Sequence, residues 1–104
     1  MKYSIVMPVY KRSNVIELSF NSILKQTYKP LELIIIDNNT DVKETKILKD
    51  IINSYRKKFL HPVRYVKSLK NSGSQARNIG AKMSKGDFVA FLDSDVVLDK
   101  DYYE

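Results

Sequence analysis

The chain contains no cysteine, which excludes disulfides and thiolate metal sites and points to a reducing compartment. No stretch approaches the roughly 18 consecutive apolar residues that a membrane span needs. The N-terminus opens directly into a strand-like segment, without the basic start and apolar middle of a signal peptide, and this sets the expectation of a cytoplasmic protein. Histidine is nearly absent: His61 stands alone, before Pro62 in a connector, and reads as an exposed bystander. Repeats and low-complexity segments are lacking too.

The 104 residues present fit one domain with one modest core. A composition that is 43% hydrophobic and 29% charged is ordinary for a globular chain. The formal net charge of +6 invites an anionic partner, whether nucleic acid, phospholipid or a phosphorylated metabolite. That charge is concentrated at Lys43, Lys46, Lys49, Arg56, Lys57 and Lys58, in or beside one helix, where a solvated face is the better reading. A nucleic-acid-binding module would interleave basic residues with exposed aromatics. The tyrosines here fall mostly on apolar faces or at strand ends, so no nucleic acid is expected.

Short apolar runs alternate with amphipathic stretches, the signature of βαβ units and a parallel sheet. Tyr3 to Val9 reads as the first strand, with Pro8 marking its end because proline cannot donate to a ladder. Helical spacing of Ile16, Phe20, Ile23 and Leu24 predicts a helix over 15–26, capped by Asn14 with Glu17. Leu31 to Ile36 is the second strand, and Asp41 with Glu44 starts a second helix carrying Leu48, Ile51, Ile52 and Tyr55. Val63 to Val66 is a third strand, a third helix begins near Ser74, and Asp87 to Leu92 is a fourth strand. Asp99 is read as the cap of a further helix, and Gly73 as a tight-turn residue. The right-handed crossover rule then gives a Rossmann-like open α/β sheet, mainly parallel, in order 3-2-1-4.

Such sheets bind ligands at the carboxyl ends of their strands, where the order reverses, between strands one and four. Polar residues gather at those ends: Pro8-Val9-Tyr10 with Lys11 and Arg12, Asp37-Asn38-Asn39, and Asp93-Ser94-Asp95, with Arg77 early in the third helix. Asp93 and Asp95 point the same way in extended chain, and two carboxylates so placed repel unless a cation neutralises them. Hard oxygen ligands suit Mg²⁺ or Mn²⁺, which would stabilise a leaving diphosphate. The bland alternatives are a polar turn at 93–95 and Asx turns at Asp37 and Asn38. Tyr10 could be packing or could stack on a base, and Arg77 could pair with an acidic neighbour. A second Asp-x-Asp, at Asp99 and Asp101, reads as helix capping.

Four segments in register resemble the family-two glycosyltransferases: Ser4-Ile5-Val6-Met7-Pro8-Val9-Tyr10; Leu33-Ile34-Ile35-Ile36-Asp37-Asn38; Asn71-Ser72-Gly73 with Ala76-Arg77-Asn78-x-Gly80; and Gly86-Asp87-x-x-Ala90-Phe91-Leu92-Asp93-Ser94-Asp95. The resemblance implies a GT-A fold, a nucleoside-diphosphate-sugar donor and divalent-metal-dependent transfer, usually inverting. It places Pro8 and Tyr10 in the nucleoside pocket and Arg77 near the base or diphosphate. Asp37 and Ser94 join the nucleotide-sugar site, Asp93 falls on the ribose or metal, and Asp95 is the metal ligand. Asn38 stands where the family often has a base-reading aspartate. Its carbonyl accepts as a carboxylate does, while its amide also donates.

The family's domain continues past the metal motif into an acceptor-binding half that supplies a general base. Residues 1–104 are therefore expected to be the donor-binding half of a truncated GT-A fold, without that base. The acceptor would be a glycan or lipid-linked, which adds the inner membrane surface as an expected location. The runner-up is a nucleotidyltransferase, against which Tyr10-Lys11-Arg12-Ser13 counts by having no glycine. A receiver-like domain wants an acidic pair where Lys11 and Arg12 stand. An open, apolar strand edge at 87–92 predicts self-association.

Overall fold

The structure, a computed structural model, describes residues 2–11, 16–68 and 73–92, excluding the side chains of 73–75. Its elements run β1 (Tyr3–Val9), α1 (Ile16–Leu24), β2 (Glu32–Asp37), α2 (Val42–Tyr55), β3 (Val63–Lys67), α3 (Gly73–Met83) and β4 (Phe88–Phe91). The four strands form one parallel sheet in the expected order, β3-β2-β1-β4.

Strand alternation divides the core between the two faces of this sheet. Ile5, Met7, Val9, Leu33 and Ile35 face α1 and α2, where Ile16, Phe20, Ile23, Leu48, Ile52 and Tyr55 cover them. Val6, Ile34 and Ile36 face α3, through Ala76, Ile79 and Met83. Burial on both faces explains the continuous apolar runs of β1 and β2. Gly80 is what lets α3 approach, since a Cβ there would lie 2.2 Å from Val6 Cγ1.

Local chemistry sets the boundaries. Asp41 caps α2 by accepting from the Lys43 N–H (2.9 Å). The first helix ends two residues sooner than its apolar spacing suggests, because the Gln26 N–H turns back to Ile23 O (3.2 Å) and tightens the last turn. Pro8 does not stop β1, which runs on to Val9. The Val6 carbonyl accepts from Leu92 N–H on the β4 side, and Val9 O accepts from Asn38 N–H on the β2 side. By alternation the missing N–H of Pro8 would face β4 beyond Phe91, so no described ladder bond is lost. Gly73 opens α3 and makes no left-handed turn, since no described glycine has positive φ.

A buried carboxylate ties the opposite, amino end of the sheet together. Glu32, 3% exposed, accepts from Ser4 Oγ (2.8 Å), the Lys85 N–H (2.6 Å) and Arg64 Nη1 (3.1 Å). Arg64 also donates to Met83 O (2.8 Å), and Gly86 N–H to Ser4 Oγ (2.9 Å), so the α3–β4 connection is stitched to three strands. Burial by itself would raise the Glu32 pKa. The donors from Lys85, Ser4 and Arg64, with the Arg64 charge, outweigh it and hold the carboxyl below its usual range.

Candidate functional site

At the carboxyl end of the sheet the same alternation separates two sets of side chains. Even positions continue the α3 face: Pro8 follows Val6, and Asn38 follows Ile34 and Ile36. Odd positions continue the α2 face: Asp37 and Asn39 follow Leu33 and Ile35. Arg77 lies exposed on α3, next to Ala76, which packs against Val6, Ile34 and Ile36. Tyr10 follows β1 and is 37% exposed, unlike the buried aromatics of the core. Pro8 and Asn38 therefore continue the α3 face of the sheet, the side on which Arg77 is carried, while Tyr10 lies in the bend just past β1.

Asn38 is the unusual member. It is 4% exposed, its N–H is spent on Val9 O (2.8 Å), and its Oδ1 is buried without a hydrogen-bond partner. A buried acceptor left unpaired costs roughly 1–3 kcal/mol. Such a group is tolerated where a ligand supplies the missing donor.

Asp37 behaves differently from its sequence neighbour. It is fully buried; Oδ1 accepts from the Asn39 N–H (2.8 Å) and Oδ2 from the Tyr65 hydroxyl, while Lys67 Nζ stands 3.6 Å away. Lys67 also donates to the Asn39 carbonyl and to Thr45 Oγ1 (2.9 Å). Burial, then the hydrogen bond to Asp37 and its negative charge, push the Tyr65 pKa far up, so the phenol stays protonated and donating. Asp37 is thus a brace beneath the loop.

The brace reaches the loop after β1. Asn39 Oδ1 accepts from the Lys11 N–H (2.6 Å). Lys11 has φ 54°, the one positive φ outside glycine among the described residues. Residues in sparsely populated backbone regions cost roughly 1–3 kcal/mol and cluster at functional sites.

Tyr65, Lys67 and the bracing role of Asn39 escaped sequence reasoning. A signal was present, because Leu33, Ile35, Asp37 and Asn39 share one strand parity. His61 sits away from the crevice, half-buried with its ring 5.0 Å from Phe59. Burial foremost, and Lys29 nearby, lower its pKa. Asp93, Ser94 and Asp95 lie outside the described residues, as do Asn14 and Asp99. The Leu92 N–H bond to Val6 O (3.0 Å) carries the β4 ladder to the residue immediately before Asp93. Among the described residues no group of three His, Asp or Glu side chains could hold a metal ion, and each Asp37 oxygen accepts a hydrogen bond from within the protein. No helix among them is long and apolar enough to cross a membrane.

An open parallel sheet with its polar residues collected at the strand-order reversal defines the class of α/β nucleotide-binding domains. The comparison with known proteins narrows this: the profile of Glycosyl transferase family 2 matches residues 4–104, and the chain belongs to that family. An uncharacterized glycosyltransferase of Haemophilus influenzae is 36% identical over 97% of this chain and 39% of its own length. The poly(ribitol-phosphate) beta-N-acetylglucosaminyltransferase TarP of Staphylococcus aureus is 38% identical over 93% of this chain and 29% of its own. Among solved structures, S. aureus TarS 1-349 in complex with UDP superposes with a TM-score of 0.78 at 31% identity, over 97% of this chain and 29% of that one. The chain thus spans well under half the length of these relatives.

Proposed function

We propose that the chain binds a nucleoside-diphosphate sugar, UDP-linked by default, and forms the donor-binding half of a glycosyltransferase. The observation that carries this is the buried, unpaired Asn38 Oδ1 at the carboxyl end of the sheet, where the exposed Tyr10 follows the neighbouring strand. An acceptor fixed in that position suits a base with a ring N–H, as uracil has, and a tyrosine face suits base stacking. The UDP complex of TarS supports the same base. Arg77, exposed on α3, reaches toward the base or diphosphate in this reading, and Pro8 lines the nucleoside pocket.

Asp95, with Asp93 and Ser94 beside it, would hold Mn²⁺ or Mg²⁺, whose charge would stabilise the departing diphosphate. Transfer is read as inverting, onto a glycan or lipid-linked acceptor, at the cytoplasmic face of a membrane if the acceptor is lipid. The two buried carboxylates described, Asp37 and Glu32, are fully engaged within the protein, so neither serves as the general base.

A thermal-shift panel of UDP, GDP, CDP and dTDP, each with and without Mn²⁺, tests the reading. Ligand at about ten times its Kd adds ~1.4 kcal/mol, or roughly 6–11 °C for a domain of this size. UDP with Mn²⁺ should give the largest rise. No rise with any of the four would remove the proposal.

A further inference from the structure

Two unfavourable features meet at one contact. Lys11 holds φ at 54°, and Asn39, 2% exposed, buries Nδ2 without an acceptor. Both attend the Lys11 N–H to Asn39 Oδ1 bond. Because Oδ1 must face that N–H, the carboxamide cannot rotate to satisfy its own amide. The bond closes the loop after β1 onto the end of β2, and the strand pairing is complete without it, with Val9 already bonded to Asn38. What the contact fixes is the turn that carries Tyr10 and Lys11.

Asn39 is itself gripped from below. Its N–H donates to Asp37 Oδ1, its carbonyl accepts from Lys67 Nζ, and the Tyr65 hydroxyl donates to the other Asp37 oxygen. A chain of hydrogen bonds therefore runs from β3 through Asp37 and Asn39 to the loop after β1. The geometry points to Asn39, and behind it Tyr65, as positioning residues that hold the Tyr10–Lys11 turn in the shape that receives a nucleoside diphosphate. This rests on the donor-binding reading above. Without the Asn39 acceptor, Lys11 relaxes to negative φ and the Tyr10 ring is no longer preset against the base, so binding must first restore the turn.

Calorimetric titration of UDP with Mn²⁺ into the chain, its Asn39→Ala, Lys11→Gly and double variants, and Tyr65→Phe tests this. Asn39→Ala should weaken affinity about tenfold, which is about 1.4 kcal/mol. In the Lys11→Gly background the same substitution should cost about threefold or less, because glycine adopts positive φ without a Cβ penalty. Tyr65→Phe, which keeps the ring, should lose affinity about two- to fivefold through the slackened Asp37 brace. A merely structural role would lower the melting temperature alike in both backgrounds and leave Kd unchanged well below melting. Equal Kd for parent and Asn39→Ala, or the same loss in both backgrounds, overturns the assignment. Failure of the parent to bind any nucleoside diphosphate would instead remove the donor-binding reading and this inference with it.

Discussion

Gly80→Ala is the sharpest test of how α3 meets the sheet. The added Cβ would stand 2.2 Å from Val6 Cγ1 and 2.8 Å from Cγ2. Val6 is fully buried and β-branched, so it has little freedom to turn away. Carbon atoms pack at about 3.5–4.0 Å, so α3 must retreat by roughly 1 Å or more along its contact with β1 and β2. Overpacking of this kind costs about 1–3 kcal/mol, and contact with a rigid partner argues for the upper end. Replacing a helical glycine with alanine returns about 1 kcal/mol of backbone propensity. The net loss is then about 2 kcal/mol, or roughly 8–16 °C in melting temperature. Urea and thermal unfolding followed by far-ultraviolet circular dichroism would measure it. Val6→Ala removes both clashing methyls and should make the double variant more stable than the two single losses added together. A Gly80→Ala protein as stable as its parent, or strict additivity with Val6→Ala, would refute the steric argument.

Asp95→Ala should abolish the Mn²⁺-dependent part of nucleotide binding while the circular dichroism spectrum and melting temperature stay near the parent's; undiminished Mn²⁺-dependent binding would dismiss Asp95 as ligand. For Glu32 the folded pKa is lowered, so its contribution to stability is present above the unfolded value and drains away as pH falls from about 4.3 through the folded value. Glu32→Gln should lower stability at neutral pH and flatten that acid limb; an unchanged acid profile in the variant would show that other carboxylates set it. β4 pairs with β1 on one side only among the described residues, and Phe88 and Phe91 are 54% and 48% exposed. The chain should self-associate in sedimentation experiments, and Phe88→Lys with Phe91→Lys should reduce this; a monodisperse parent monomer would overturn it.

Much of this was legible in the sequence because the information was local. Strand order, the Asp41 cap and the packing role of Gly80 follow from period, turn chemistry and the handedness of crossovers. The shared face of Pro8 and Asn38 follows from alternation once the order is known. Long-range polar partnerships were not legible. Glu32 gives no sign in the sequence of its role, which depends on Ser4, Arg64 and Lys85 brought to it from three other segments. Asp37 stands beside Asn38 in a polar cluster, and its bonds to the Tyr65 hydroxyl and the Asn39 N–H are visible only in the fold. The left-handed Lys11 carries no glycine, asparagine or aspartate to announce it.

The alternation at the end of β2 also has a bearing on how such a domain can change. Asn38 and its two neighbours are consecutive in the chain, yet opposite strand parity sets Asn38 on the α3 face and its two supporting neighbours on the α2 face. On the donor-binding proposal, a substitution at 38 would alter which hydrogen-bonding groups meet a base, while the Asp37–Asn39–Lys11 bonds on the other face stay in place. Preference for one nucleotide would on that proposal drift by a single replacement without unsettling the scaffold. A replacement one position to either side attacks the scaffold first.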